Sequence, residues 1–190
     1  EASRLLNQGR YAQALELFLQ LGASLRSDPV AAFNIGLCRL HLWQLESAAT
    51  QLELARQLSG ENTGALVALL PEHLALTYAL LGRSADAQAS LAAVPTSRAY
   101  PGRLALVTAI ILARTGDPAG ARSKLASFEA KQLGGVMGAL ARTVDAFCVE
   151  LLTAELRHVD RVALFGETGA DGLSRAWPEL IAFVERAPVI

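Results

Sequence analysis

One short pattern of apolar and polar residues occurs several times along this chain. The stretches NQGRYAQALELFLQLG, ALLGRSADAQASLAAVP and ARTGDPAGARSKLASF each contain a Gly, then an Arg or another polar residue, then an Ala and a large apolar residue at fixed distances. Within each stretch the apolar residues recur at helical spacing. The pattern therefore predicts a series of similar helical units, each built around a turn.

The turns of these units are regularly spaced along the chain. They align at one position, which recurs at intervals of 34, 39 and 34 residues and is occupied by Gly9, Trp43, Gly82 and Gly116. An internal repeat of about 34 residues indicates stacked helix pairs. The extra residues of the middle interval fall in the polar stretch SGENTG, 59–64, where an insertion costs little.

Three further aligned positions of the repeat, which we call columns, also follow a pattern. Two of them hold small residues and one holds a large apolar residue. Five positions after the turn stand Ala14, Ala48, Ala87 and Ala121. Four positions later stand Phe18, Leu52, Leu91 and Leu125, and seven positions before the turn stand Gly36, Ala75 and Ala109. Small residues at these places let the two helices of a pair approach closely, and the large residue fills the space beside them.

These columns resemble the tetratricopeptide repeat (TPR) family. The resemblance covers residues 1–128 and predicts four repeats, at about 1–24, 28–58, 65–95 and 101–128. It implies an all-α fold in which TPR-like helix hairpins stack into a right-handed superhelix, or solenoid. Trp43 departs from the family pattern, because the family usually has Gly at that turn.

The last third of the chain follows the repeat pattern less closely. Residues 129–165 are interpreted as a degenerate repeat, since no Gly turn follows on schedule. Residues 166–190 comprise a Gly-rich loop and then apolar residues at helical spacing, namely Leu173, Trp177, Leu180, Ile181 and Val184. Because a solenoid needs an element that covers its last open face, we predict a C-terminal capping helix here.

The composition favours a folded, soluble protein. Hydrophobic residues make up 52% and charged residues 18%, and the net charge of -1 provides no basic surface for nucleic acid. No apolar run reaches the roughly 20 residues that span a bilayer. Cys38 and Cys148 have no CxxC neighbour, which predicts buried, reduced thiols and a cytoplasmic location. The first residue is Glu1 rather than Met, so we expect an excised domain of a longer protein.

No motif in the sequence predicts catalysis. The Gly-rich stretches LGGVMG and GETGADG lack the GK[ST] element of a phosphate-binding loop. His41, His73 and His158 are scattered and have no partner at metal-ligand spacing. We therefore expect no enzymatic activity, no metal and no cofactor, although catalytic groups can converge from distant parts of a sequence.

The resemblance also implies a partner-binding groove, lined by one stripe of residues from the leading helix of each repeat. By register with the family, the stripe consists of Val30, Phe33, Leu37, His41, Leu69, Leu76, Leu80, Arg103, Leu106, Ile110, Leu140 and Val144. Family members that bind a C-terminal carboxylate present Lys, Arg and Asn there, whereas most of these residues are apolar. We therefore predict a chaperone-like scaffold or adaptor, whose partner protein contributes an apolar or amphipathic helical segment.

The sequence is also compatible with two other occupants of the groove. The stripe is also explained as core that is covered by the chain's own C-terminal helix, or by a second copy of the chain in a homodimer. In that case the chain is a structural or regulatory module of a larger protein or assembly.

Overall fold

The chain folds into α-helices. The computed structural model describes residues 1–22, 27–60, 64–95, 100–166 and 171–190. Of the described residues, 77% are helical, and none of them forms a β-strand. Their helices are α1 (Ala2–Asn7), α2 (Tyr11–Gln20), α3 (Pro29–His41), α4 (Leu45–Ser59), α5 (Gly64–Leu80), α6 (Ser84–Ala92), α7 (Pro101–Arg114), α8 (Pro118–Leu125), α9 (Phe128–Lys131), α10 (Gly135–Thr153), α11 (Arg161–Phe165), α12 (Asp171–Ala176) and α13 (Pro178–Arg186). None of these described helices combines the length and the hydropathy that a membrane crossing needs.

Consecutive helices pack against each other in pairs. The pairs are α1 with α2, α3 with α4, α5 with α6, and α7 with α8. Inside each pair the chain turns at a residue with positive φ, which is Gly9 (75°), Trp43 (59°), Gly82 (77°) or Gly116 (90°). A left-handed residue commonly ends a helix, and Gly usually supplies it. The first helix of each pair contacts the first helix of the next pair, and α7 contacts α10. The helices α1, α3, α5, α7 and α10 therefore form one connected layer.

Small residues let the helices of a pair approach closely. A Cβ atom added to Gly36 in α3 would lie 2.8 Å from Cγ of Leu52 in α4, which is shorter than real contacts of this kind. The alanines of the small-residue column are fully buried, namely Ala14, Ala48, Ala87 and Ala121. These columns therefore mark places where neighbouring helices pack closely.

The region after α8 departs from the paired pattern. The helix α9 has four residues, whereas α10 has 19 and is followed by Ala154, whose φ is 58°. Residues 154–160 are not helical, and the next helix, α11, begins at Arg161. Within 129–165, which the sequence predicts as a degenerate repeat, a long leading helix is thus followed by non-helical chain rather than by a second helix of similar length.

The end of the chain contains two helices where the sequence predicts a single capping helix. The first, α12, ends at Ala176, and the second, α13, begins at Pro178. Proline has no amide hydrogen to donate and its ring clashes with the preceding turn, so Pro178 starts a helix rather than continuing one. We call residues 159–190 the C-terminal segment.

Candidate functional site

The predicted partner-binding residues fall into four groups in the structure. Six of them are at most 1% exposed and lie in one buried cluster, and we call these six the inner face: Leu76, Leu80, Leu106, Ile110, Leu140 and Val144. Phe33 is buried in the same cluster, and the half-buried Leu37 and Leu69 pack against it. His41 and Arg103 are half-buried and belong to a polar cluster described below, whereas Val30 is 51% exposed.

The C-terminal segment shares one buried apolar cluster with the inner face. Its own apolar residues are buried in the same cluster, and these include Val159, Leu164, Leu173, Trp177, Leu180, Phe183 and Val184. A partner helix in a groove would likewise bury apolar residues at helical spacing against an apolar surface. In this structure the chain supplies that segment itself.

Trp43 anchors the start of the C-terminal segment to the turn between α3 and α4. Its indole Nε1 donates a hydrogen bond to the carbonyl oxygen of Leu164, 3.0 Å away. The indole also meets the ring of Phe165 edge to face, with centroids 6.0 Å apart. The backbone of Gly172 lies directly against the Trp43 carbonyl, since a Cβ atom there would be 1.3 Å from that oxygen. Glycine is therefore required for α12 to reach this turn.

Arg114 joins the C-terminal segment to the ends of α5 and α7. Its Nη1 donates to the carbonyl oxygen of Leu80 at 2.9 Å, and its Nη2 donates to that of Ala176 at 3.0 Å. The guanidinium also lies over the ring of Trp177, 4.8 Å from its centroid. Gly82 provides the space for this side chain, because a Cβ atom there would lie 2.4 Å from Nη2 of Arg114.

The helix α13 also packs against α10. The ring of Phe147 meets the rings of Trp177 and Phe183 edge to face, with centroids 5.8 and 5.7 Å apart. Arg186 of α13 forms an ion pair of 2.6 Å with Glu150 of α10. The start of the segment is also tied to its end, since the amide of Val159 donates to the carbonyl of Pro188. The described parts of the segment, 159–166 and 171–190, are therefore each held by contacts with other helices.

A buried polar cluster connects α5 to α7 beside the inner face. Nη1 of Arg103 donates to Nε2 of His73 at 2.9 Å, so the proton of the neutral imidazole is on Nδ1, which donates to the carbonyl of Leu69 at 2.9 Å. Arg103 also forms an ion pair of 2.8 Å with Glu72, which is fully buried and accepts a bond from the amide of Tyr100. Oε1 of Glu72 is close to Arg103 but receives no well-aligned hydrogen bond, so the contact is mainly electrostatic.

Burial determines the protonation states of this cluster. Desolvation, and then the charge of Arg103, lower the pKa of His73 to about 3. Desolvation raises the pKa of Glu72, while Arg103 and the Tyr100 amide oppose that rise. His41 lies near the same cluster and stacks parallel on Tyr11 with ring centroids 4.1 Å apart. Its pKa falls to about 4, mainly because of burial.

The cluster is suited to holding helices together rather than to moving protons. Both ring nitrogens of His73 are engaged, one as acceptor and one as donor, and the ring is neutral at pH 7. A general base needs a pKa near the working pH and reach to a substrate. Within the described part of the chain, no group of three or more His, Cys, Asp or Glu residues is placed to hold a metal ion.

Several residues that hold the C-terminal segment in place are not part of the predicted stripe. Trp43 and Gly172 meet across more than a hundred residues of sequence, and Phe147 contacts α13 from α10. One signal was present in the sequence, since a Trp stands in the turn column where the repeat otherwise has Gly.

Comparisons of this chain with protein families, with curated proteins and with solved structures find no match.

Proposed function

We propose that this chain is a non-catalytic protein-interaction module of the tetratricopeptide type, whose groove is occupied by its own C-terminal segment. The observation that carries the proposal is the burial of Leu173 and Trp177 in one cluster with the inner face. The chain is then a structural or regulatory module of a larger protein or assembly.

The repeat architecture supports a groove. Turns recur in the column Gly9, Trp43, Gly82 and Gly116, and each lies between two packed helices. One hairpin cannot bury its own apolar face, so stacked copies create both a continuous core and a continuous surface for a further helix. The contacts of α1 with α3, α3 with α5, α5 with α7 and α7 with α10 support stacking of successive hairpins.

The burial of the stripe favours the chain's own segment as occupant. A foreign helix needs an exposed apolar surface, and fully burying one Leu or Ile side chain contributes about 1.5–3 kcal/mol. Leu106 and Ile110 are already fully buried, so a partner would gain nothing from them unless the C-terminal segment left first. A foreign partner therefore has to displace this segment or bind elsewhere.

The two cysteines support a location in the cytoplasm. Cys38 and Cys148 are both free thiols and both buried. Burial raises the pKa of each thiol to about 11, so neither is a reactive thiolate at neutral pH. Packed, reduced cysteines are ordinary in a reducing compartment.

The proposal is tested by cutting the chain and exchanging the segment. Residues 167–170 are replaced by a specific protease site, and the purified full-length protein is then cleaved. The fragment that begins at Asp171 should remain bound during gel filtration at micromolar concentration. A fluorescent peptide of residues 171–190 should replace it saturably at one site.

A matched peptide provides the control for this exchange. In the same peptide carrying Trp177→Asp, a charge would have to be buried beside Phe147, which is strongly unfavourable. This peptide should not bind. Separation of the fragment under native conditions, or equal binding of the two peptides, would show that the inner face is not a site for a helical segment.

A further inference from the structure

A cleft outside the inner face lies between the first two helix pairs and the start of the C-terminal segment. Its volume is about 430 Å³, and it lies between the first turn of α2, the end of α3, the start of α10 and α11. The side chains that give it its chemistry are Arg10, Tyr11, His41, Val136, Val162 and Phe165. Ligand pockets in proteins usually measure about 300–1,000 Å³, so the cleft has the size for a small organic molecule.

Most of the cleft surface is apolar or aromatic. Val136 and Val162 provide aliphatic surface, and the stacked rings of Tyr11 and His41 form a flat wall. Because burial keeps the pKa of His41 near 4, the imidazole carries no charge at pH 7. Its Nδ1 atom is buried without a hydrogen-bond partner in the described structure. The cleft thus offers an apolar surface for a ligand, with the neutral imidazole of His41 beside it.

Arg10 is the one charged side chain among the described residues that line the cleft. The corresponding residue of the third pair, Arg83, has nearly the same backbone angles and also directly precedes a second helix. Arg83 forms an ion pair of 2.7 Å with Asp86, three residues later. In the first pair Gln13 stands three residues after the arginine, and Arg10 forms no ion pair in the described part of the chain. The Glu1 carboxylate, which pairs with Arg4, is within the electrostatic reach of Arg10 but forms no ion pair with it.

The first turn of α2 adds to the positive potential at Arg10. The helix begins at Tyr11 and no side chain caps its amides, and Ala12 and Gln13 of the same turn also line the cleft. Uncapped amides at a helix start carry a positive partial charge. This contribution reinforces the guanidinium and has the same sign.

We infer that this cleft binds a small organic carboxylate with an apolar body. The carboxylate pairs with Arg10 beside the first turn of α2, and the apolar body lies against Val136, Val162 and Phe165. An uncharged ligand would leave the guanidinium unpaired, and a cationic ligand would be repelled by it. A bound ligand also bridges α2 and α11, so it ties the C-terminal segment to the first helix pair.

The inference is tested by isothermal titration of the full chain with three probes of equal length. Octanoate should bind saturably at one site, octanol at least about tenfold more weakly, and octylamine not at all, because a charge-assisted hydrogen bond is about twice as strong as a neutral one. Arg10→Gln should weaken octanoate binding about 10-fold to 100-fold. The matched control Arg83→Gln should leave it unchanged. Both arginines are exposed, and circular dichroism checks that both variants fold.

A second variant tests the location independently of Arg10. Val162 is 76% exposed, so Val162→Glu should fold normally and place a carboxylate in the cleft, which should abolish octanoate binding. The inference is overturned if octanoate does not bind, if octanol binds equally well, or if Arg83→Gln weakens binding as much as Arg10→Gln. It is also overturned, in favour of a peptide terminus, if N-acetyl-Leu-Leu binds and octanoate does not.

Discussion

The indole of Trp43 donates a hydrogen bond to the carbonyl oxygen of Leu164, although 121 residues separate the two in the chain. Trp43 thereby connects the turn of the second helix pair to the C-terminal segment. Its φ of 59° lies in the left-handed region, which is unfavourable for a large side chain. Burial of the indole and its hydrogen bond offset that strain, which explains why the turn column departs from Gly at this position.

Replacing Trp43 with the residue expected at such a turn should destabilise the protein. Trp43→Gly relieves left-handed strain worth about 1–2 kcal/mol, but the loss of a buried Trp side chain costs about 3–5 kcal/mol. We expect a net loss of about 1–4 kcal/mol in the free energy of unfolding, measured by urea denaturation. A variant as stable as the parent would mean that the indole does not hold the C-terminal segment.

A single methyl group at Gly172 should loosen α12 from the turn at Trp43. Because the added Cβ would lie 1.3 Å from the Trp43 carbonyl oxygen, Gly172→Ala should force the backbones apart and cost about 1–3 kcal/mol. Hydrogen exchange should accelerate in α12 and α13 while the helix pairs stay protected. The control is Gly134→Ala, where an added Cβ meets no atom within 4 Å. Equal effects of the two substitutions would contradict the close contact.

The small-residue column should not tolerate a large side chain. Ala87 in α6 is fully buried, so Ala87→Leu should overpack the crossing and cost about 1–3 kcal/mol. Ala89 lies in the same helix and is exposed, so Ala89→Leu should change stability by less than about 0.5 kcal/mol. Thermal unfolding measures both. An unchanged melting temperature for Ala87→Leu would refute the register of the repeats.

Acid should destabilise the protein in a defined pH window. His41 and His73 have pKa values of about 4 and about 3, against an ordinary value of 6.5. Below pH 6.5 the unfolded chain therefore binds protons that the folded chain does not, and stability falls as the pH falls toward 4. The slope is at most about 1.4 kcal/mol per pH unit for each histidine. Glu72, whose pKa burial raises, opposes the loss at the acidic end.

Denaturant unfolding between pH 7 and pH 4 measures this slope. His73→Gln should flatten the pH dependence, even though it lowers stability at pH 7 by removing the partner of Arg103. His158→Gln is the control, since that side chain is exposed and should leave the slope unchanged. A parent protein whose stability is flat from pH 6.5 to 4 would contradict the burial of neutral histidines.

Local patterns in the sequence predict the paired helices well. The turn column of Gly9 and its equivalents depends on positive φ, and the small-residue column depends on tight helix contact, so both leave a periodic signal in the sequence. The opposition of Gly36 and Leu52 follows from the same register. Such contacts lie within one pair, where spacing alone determines which side chains meet.

The contacts of the C-terminal segment could not be predicted in this way. The pairs Trp43–Leu164 and Arg114–Ala176 join distant parts of the chain, and no periodic spacing connects them. The break before Pro178 was visible as a proline, but where the two resulting helices pack depends on Phe147 and the inner face. The cleft at Arg10 likewise forms between α2 and α11, which are far apart in sequence.

The two tryptophans of the chain report directly on whether the C-terminal segment covers the inner face. Trp43 and Trp177 are 1% and 3% exposed and are the only two in the sequence. In Trp177→Phe and Trp43→Phe the remaining indole should emit at shorter wavelength than in urea and resist quenching by acrylamide. Adding Gly172→Ala to either variant should shift the emission to longer wavelength and increase quenching. Native emission from Trp177 that matches the unfolded chain would show that the segment does not lie on the inner face.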